Sequence, residues 1–332
     1  MNATVHWLEA DRRFEVQPGE TVLAAALRQE VPLPHECQFG GCGSCRVQLL
    51  QGEVRYGEWP FALSEEEAAQ GQAIACQALP QTAELVLSVR PPVVYAEPAE
   101  RKVNVVAVDW LHPDIARVRL ALQDGQALNF RPGQYVDLKL AEGRHRSFSL
   151  ASRSGEAMLE LHVRRIPGGL FTDGLLGHLQ PGDELTLKVP LGSFQYRAED
   201  DRPLVLVATG TGMAPLRSIV LSLLDDPNRP PVSLYWGMRQ ANELYLDEEI
   251  RRWVEVLDDF RYVPVLSRAD TAWTGMRGHV QDAVLADHPD LSEQAIYLCG
   301  SPAMIAEARS RFAAAGASLA HLYTDSFVFQ EH

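Results

Sequence analysis

Two periods of apolar spacing alternate along this chain, and the places where one gives way to the other mark out its domains. Residues 3–8 and 13–17 alternate apolar with polar positions about Ala10-Asp11-Arg12, which predicts a hairpin. Pro18-Gly19-Glu20-Thr21 then opens a short helix over 22–28, with Val22, Leu23, Ala26 and Leu27 at core spacing. A cysteine- and glycine-rich loop and a strand over 46–50 follow. Residues 91–98 are proline-rich without periodicity and read as a linker. From 102 to 196, short alternating runs recur at 103–108, 115–122, 135–140, 148–151, 159–164 and 184–189. Turns such as Arg131-Pro132-Gly133 and Gln180-Pro181-Gly182-Asp183 separate them, which predicts a small antiparallel barrel. After Asp201 the runs become continuously apolar, at 204–208, 232–236, 261–266 and 296–299. Helical stretches lie between them, the first over about 214–224, the rhythm of a parallel α/β sheet. Three domains are expected, over 1–92, 101–200 and 201–332: α+β, then a β-barrel, then α/β.

Composition acts by exclusion. With 46% hydrophobic and 22% charged residues in 332, the chain is ordinary globular material rather than disordered, collagen-like or coiled-coil. A net charge of −14, of which −6 falls in the first 92 residues, argues against a nucleic-acid partner, whose backbone is held by Lys and Arg. No run approaches 18 apolar residues, so no membrane span is expected. The N-terminus lacks the basic start and apolar stretch of a signal peptide. A cytoplasmic, monomeric protein is the default, and its five cysteines are then ligands or thiols rather than disulfides.

Cys37, Cys42 and Cys45 form C-x4-C-x2-C, and Cys76 stands 31 residues further on. This is the spacing of a plant-type [2Fe–2S] site, in which two irons take four thiolates. Gly40, Gly41 and Gly43 let the loop curl and bring N–H groups to the sulfurs. The alternative is structural zinc, but zinc sites usually join two short ligand pairs, whereas here three ligands share one loop and the fourth stands alone. On HECQFGGCGSC and IACQA, residues 1–90 resemble a plant-type ferredoxin domain of β-grasp type. Cys299, in Leu298-Cys299-Gly300-Ser301-Pro302, is the odd cysteine, and by itself reads as a small buried hydrophobe.

Residues 102–332 carry four further motifs. They are Arg146-Ser147-Phe148-Ser149-Leu150; His162-Val163 with Gly168-Gly169 and Thr172; Gly210-Thr211-Gly212-Met213-Ala214-Pro215 after an apolar strand; and Cys299-Gly300-Ser301-Pro302. Together they resemble the ferredoxin–NADP reductase superfamily, a flavin-binding barrel followed by a nicotinamide-binding α/β domain. The resemblance implies that Arg146 neutralises a flavin phosphate, Phe148 packs on the flavin and Ser149 hydrogen-bonds near its N5. A guanidinium suits pyrophosphate, and N5 suits a nearby donor. Backbone at His162 and Val163 would run beside the flavin, and Gly168, Gly169 and Thr172 would offer donors to a phosphate. The Gly210, Thr211, Gly212, Met213 and Pro215 loop would meet the dinucleotide pyrophosphate at a helix N-terminus. The resemblance places Cys299 beside the nicotinamide C4, with Gly300, and Phe327 of Asp325-Ser326-Phe327 beside the flavin. Around Arg239 the chain offers one arginine and an acid but no basic cluster for a 2′-phosphate, which favours NADH.

The order of modules implies a path from NADH to FAD to [2Fe–2S] to a partner enzyme, with FAD preferred to FMN. The whole chain resembles reductase components of multicomponent oxygenases, of the Rieske aromatic-ring, diiron and cytochrome P450 kinds. Its pieces YWGMR, YVPVLS, HVQDAVL and YTDSF also resemble CDP-6-deoxy-3,4-glucoseen reductases, which feed a sugar dehydrase. A terminal oxygenase docking about the cluster loop at Gln38 and Phe39 is the preferred partner. An iron–sulfur carrier without flavin is the contrasting class, and the flavin and nicotinamide motifs argue against it.

Overall fold

A computed structural model of the chain describes residues 2–35, 38, 40, 45–60, 63, 65–89 and 95–327. It divides into two compact units, Met1–Val94 and Tyr95–His332.

Among the described residues of the first unit, β1 (Ala3–Trp7) and β2 (Arg12–Val16) form the expected hairpin, and α1 (Val22–Arg28) follows. Then come β3 (Arg46–Gln51), β4 (Val54–Arg55), α2 (Glu65–Ala69), β5 (Gln72–Ile74), β6 (Leu79–Pro80) and β7 (Glu84–Ser88). The main sheet has the order β2-β1-β7-β3-β5, with β1 and β7 parallel, and β4 pairs with β6. Along β1 the alternation puts Ala3, Val5 and Trp7 inside. The indole N–H of Trp7 donates to the Val89 carbonyl at 2.7 Å, so this large buried side chain carries no unpaired donor. Thr21 caps α1 by accepting from the Ala24 N–H at 3.2 Å. Leu27, expected on the core face, is 38% exposed, and Ala25 is buried in its stead. At about 100° per residue, Leu27 lies roughly 120° from the centre of the face made by Val22, Leu23, Ala25 and Ala26.

The second unit begins with β8 (Ala99–His112), β9 (Ile115–Leu122), β10 (Tyr135–Lys139), β11 (His145–Ser149), β12 (Met158–Arg164) and β13 (Glu184–Leu191). They pair antiparallel in the order β11-β10-β13-β8-β9-β12. A bridge between Leu150 and Leu161, with the Ala151 N–H donating to the Glu160 carbonyl at 2.8 Å, joins the two edges into a barrel. β8 extends well beyond the expected run at 103–108. Register shifts between Val105 and Ala107 and between Trp110 and His112 break its alternation, which hid its length from a period-two reading.

The chain continues through β14 (Leu204–Thr209), α3 (Met213–Leu223), β15 (Val232–Met238), α4 (Asp247–Val256), β16 (Phe260–Leu266), β17 (Met276–Arg277), α5 (Val280–Asp287), β18 (Ala295–Gly300), α6 (Pro302–Ala314) and β19 (Leu322–Ser326). These strands are parallel, in the order β17-β16-β15-β14-β18-β19. Leu204, Leu206 and Ala208 pack under α3 and α4, and Val205 and Val207 under α5 and α6. Burial on both faces is why these strands read as unbroken apolar runs. The chain leaves β14 toward β15 on one side and returns on the other at β18. That reversal creates a crevice at the carboxyl ends of β14 and β18.

Leu206 is fully buried in the central strand. Leu206→Ala should cost about 2–5 kcal/mol through lost transfer energy and an unfilled cavity. A lowered urea midpoint, read by far-ultraviolet circular dichroism, measures it.

Candidate functional site: a double cleft and a thiol pair

β11 holds Arg146, Ser147, Phe148 and Ser149 at the mouth of the barrel, and all four line a cleft of about 410 Å³. Phe148 packs at 5.3 Å between ring centres against Phe171, and the Ser147 hydroxyl donates to Asp137 Oδ1 at 2.6 Å. His162, Gly169 and Thr172 also border this cleft. Val163 is turned into the barrel core instead and is not part of the cleft lining. The 166–173 loop spends much of its hydrogen bonding on itself. The Gly168 N–H donates to Asp173 Oδ2 at 2.9 Å, and that bond, with Arg165, holds the Asp173 carboxyl below its ordinary range. Thr172 Oγ1 accepts from the Ile166 N–H at 3.2 Å, and the Gly169 N–H donates to the Ile166 carbonyl at 2.9 Å. In this loop, donors expected to face a phosphate are thus engaged internally, and Gly168 lies outside the cleft lining.

A second cleft of about 410 Å³ sits at the crevice of the parallel sheet, and Arg164, Thr211 and Phe327 border both. Gly210, Thr211, Arg239 and Gly300 line it. Glycine is required twice here. A Cβ at Gly212 would stand 2.3 Å from the Cys299 carbonyl oxygen, and one at Gly300, whose φ is +141°, would stand 2.2 Å from Thr209 Oγ1. Two helices open on the crevice. Ser301 caps α6 by accepting from the Met304 N–H at 3.3 Å, whereas α3 has no capping side chain. The first turn of α3 is instead continuous with the Gly210–Gly212 turn, whose carbonyls accept the Met213 N–H, and Pro215 brings no N–H to the crevice. Met213 and Pro215 are buried, and Met213 packs into the core, so they shape the loop without lining the cleft. At the end of β15, the N–H groups of Arg239 and Gln240 both donate to Glu243 Oε2, at 2.9 and 2.8 Å.

Ser149 and Cys299, the two residues singled out for chemistry, come together on a third that sequence reasoning passed over. Cys299 pairs in register with Asp325 across β18 and β19, and its Sγ lies 4.0 Å from Asp325 Oδ2. The Ser149 hydroxyl donates to the same carboxyl. Burial raises the Asp325 pKa, opposed by that hydrogen bond. Burial, with Asp325 next, pushes the Cys299 thiol well up, so it is a neutral thiol lying beneath the clefts rather than in their lining. Phe327 is tied in place by its N–H, which donates to the Gly300 carbonyl at 2.9 Å. Asp325 lies two residues before Phe327, but nothing local in the sequence marks a lone aspartate whose partners lie on other strands.

In the first unit Cys45 and Cys76 are buried side by side, the Cys76 N–H approaching Cys45 Sγ at 3.5 Å. The Gln77 side-chain amide donates to the Gln38 carbonyl at 3.2 Å, and Gly40 takes a φ of +82°. Burial, with the charges of Cys45 and Cys76 behind it, raises the Tyr56 pKa. Cys37 and Cys42 lie outside the described residues, as do Phe39, Gly41 and Gly43.

Residues 5–81 match the model of a 2Fe-2S iron-sulfur cluster binding domain, 102–196 an oxidoreductase FAD-binding domain and 206–310 an oxidoreductase NAD-binding domain. The chain is 35% identical to the CDP-6-deoxy-L-threo-D-glycero-4-hexulose-3-dehydrase reductase of Yersinia pestis, over 95% of both chains. It is 32% identical to reductase component 2 of the terephthalate 1,2-dioxygenase of Comamonas sp, over 98% of both. Among solved structures, an Amycolatopsis cytochrome P450 reductase is similar with a TM-score of 0.66 and 36% identity, over 98% of both chains. The chain belongs to the iron–sulfur flavoprotein reductases.

The reductase is thus an oxidoreductase of [2Fe–2S], FAD and a nicotinamide dinucleotide, and its residues suit them. Buried sulfurs meeting a backbone N–H suit a cluster. A glycine loop with no room for a Cβ, at the carboxyl end of a parallel strand, suits a pyrophosphate. A cleft edged by Arg146, Phe148 and Ser149 suits a flavin.

The raised Asp325 pKa has a measurable consequence. Its contribution to stability is complete below its ordinary value of 3.8 and is lost as pH rises through the folded-state value. Asp325→Asn should therefore raise the thermal midpoint at about pH 7.5, with the gain vanishing toward about pH 3.5. Melting curves across that range, followed by circular dichroism, check the sign.

Proposed function

We propose that the reductase passes electrons from NADH through FAD and [2Fe–2S] to a terminal oxygenase of the Rieske aromatic-ring kind. The observation that carries the reading is the pair of clefts bordered in common by Arg164, Thr211 and Phe327, with Ser149, Asp325 and Cys299 grouped at their junction. A flavin bound there accepts a hydride as an electron pair and releases electrons singly, the conversion that a one-electron cluster requires. Arg146 would neutralise its phosphate, Phe148 and Phe327 would bracket the ring, and the Gly210–Gly212 loop would seat the dinucleotide. Ser149, in the cleft lining, holds a hydroxyl proton on Asp325, while Cys299 backs the junction from beneath as a neutral thiol, and neither is a nucleophile. The modules are assigned to 1–92, 101–200 and 201–332. The partner docks about the cluster loop at Gln38 and Phe39, the protein acts as a cytoplasmic monomer, and support for an oxygenase comes from the terephthalate dioxygenase relative. The Yersinia relative favours a second acceptor, a CDP-hexulose dehydrase.

Anaerobic NADH should bleach both the flavin bands and the broad red-brown absorption of the cluster. Cys42→Ser should leave flavin reduction by NADH intact and abolish electron delivery to a protein acceptor. Loss of both in a folded variant would overturn the modular path. Turnover with a purified Rieske oxygenase, compared with a CDP-hexulose dehydrase, decides the acceptor.

Glu243 supports NADH over NADPH. Its carboxylate already takes the two N–H groups at the end of β15 and would repel a 2′-phosphate there. Glu243→Ser should raise the NADPH-to-NADH ratio of kcat/KM by about tenfold, equivalent to about 1.4 kcal/mol. An unchanged ratio in steady-state assays would remove Glu243 from specificity.

A further inference from the structure

A buried polar ring joins the barrel to the parallel sheet, and neither cofactor half-site accounts for it. Arg217 lies on α3, one turn beyond the Gly210–Gly212 loop, with 13% of its side chain exposed. Its Nη1 donates to the Ala151 carbonyl at 2.6 Å and lies 3.3 Å from Glu160 Oε1, both on the barrel side. Its Nε donates to Glu249 Oε1 on α4 at 2.8 Å. Ala151 follows Ser149 by two residues, so one guanidinium reaches from the helix behind the nicotinamide loop to the strand end that carries the flavin-side serine.

The ring closes through His162, whose side chain is wholly buried. Burial keeps this imidazole neutral, with Glu160 opposing. A neutral ring has one donor and one acceptor. Its Nε2–H donates to Glu160 Oε1 at 2.9 Å, and its Nδ1 accepts from the Tyr245 hydroxyl at 3.2 Å. Burial works against the Glu160 charge, but His162 and Arg217 outweigh it and hold the carboxyl ionised. Tyr245 stands edge-on to Trp236 with centres 5.2 Å apart, and the Trp236 indole N–H donates to the Gly210 carbonyl at 3.0 Å. The circuit therefore starts on α3 and returns to the loop that precedes it.

We infer that Arg217 is a positioning residue, holding the flavin-binding barrel and the nicotinamide-binding sheet in register for hydride transfer by tying α3 to Ala151 and Glu160. Such a clamp matters because a misplacement of about 1 Å between reacting groups can cost on the order of a hundredfold in rate. Removing the guanidinium leaves Glu160 and Glu249 partly buried without their shared cation, which drives the two faces apart. Lysine, a single point charge, cannot reach all three acceptors at once. The inference rests on the proposed route from NADH to FAD.

The test uses holoprotein variants Arg217→Gln, Arg217→Lys and Glu249→Gln. In anaerobic stopped flow at saturating NADH, Arg217→Gln should slow flavin reduction roughly tenfold to a hundredfold. The NADH half-saturation and the FAD content per chain should stay within twofold, and Arg217→Lys should fall between Gln and wild type. In calorimetry the barrel and sheet should melt in one transition in the wild type and in two in Arg217→Gln. Flavin reduction within twofold of wild type in folded Arg217→Gln would overturn the inference. So would rates that fall only in proportion to lost FAD across the three variants, which would mark a merely structural ring. If Arg217→Gln does not fold, Arg217→Lys and Glu249→Gln carry the same comparison. A wild type that binds NADH without flavin bleaching would count against the proposed route, and the clamp would then be judged by the melting transitions alone.

Discussion

The reductase depends on a steric constraint at the carboxyl ends of β14 and β18, where the backbones leave no space for a side chain at Gly212 or Gly300. Because the loop can press against the end of β18, α3 starts directly from the Gly210–Gly212 turn, whose carbonyls take the Met213 N–H in place of a capping side chain. The same closeness sets Gly300 and Phe327 at the border of the second cleft. A parallel sheet creates such a crevice wherever its strand order reverses, and the two glycines let the loop and the ends of β14 and β18 pack closely around it.

Around that crevice, polar groups are buried in sets that complete one another. Asp325 is shared between a hydroxyl from the barrel and a thiol from the sheet, and Arg217 is shared among a carbonyl and two carboxylates. A buried charge with a single partner is a costly feature, whereas one spread over several hydrogen bonds is tolerable and fixes geometry. The junction between barrel and sheet is therefore polar where orientation matters, beside an apolar part supplied by residues such as Ile115 and Phe194.

The first unit solves a different problem. Cys45 and Cys76 are shielded from water by the core of the main sheet. Gln77 ties the loop at Gln38 to the segment bearing Cys76, holding the outer part of the site to its buried part. The core thus holds Cys45 and Cys76, 31 residues apart in sequence, against one another.

Much of this was legible in residue order. The bounds of α1 follow from Thr21 and the apolar spacing after it, β9 and β14 from their runs, and the presence of a 2Fe-2S module from cysteine spacing, because capping, strand period and ligand chemistry are local properties. Leu27 and the full length of β8 were misjudged, since helix-face geometry and bulges depend on what packs opposite. The sequence by itself determined which modules are present and the order in which they follow. Only the tertiary structure decided that Ser149 and Cys299 meet on Asp325, that Asp173 occupies the Gly168 N–H, and that Arg217 spans from α3 to Ala151. Each of those pairings joins residues on separate elements, and strand register and helix placement, which the energy of the whole core selects, bring them together.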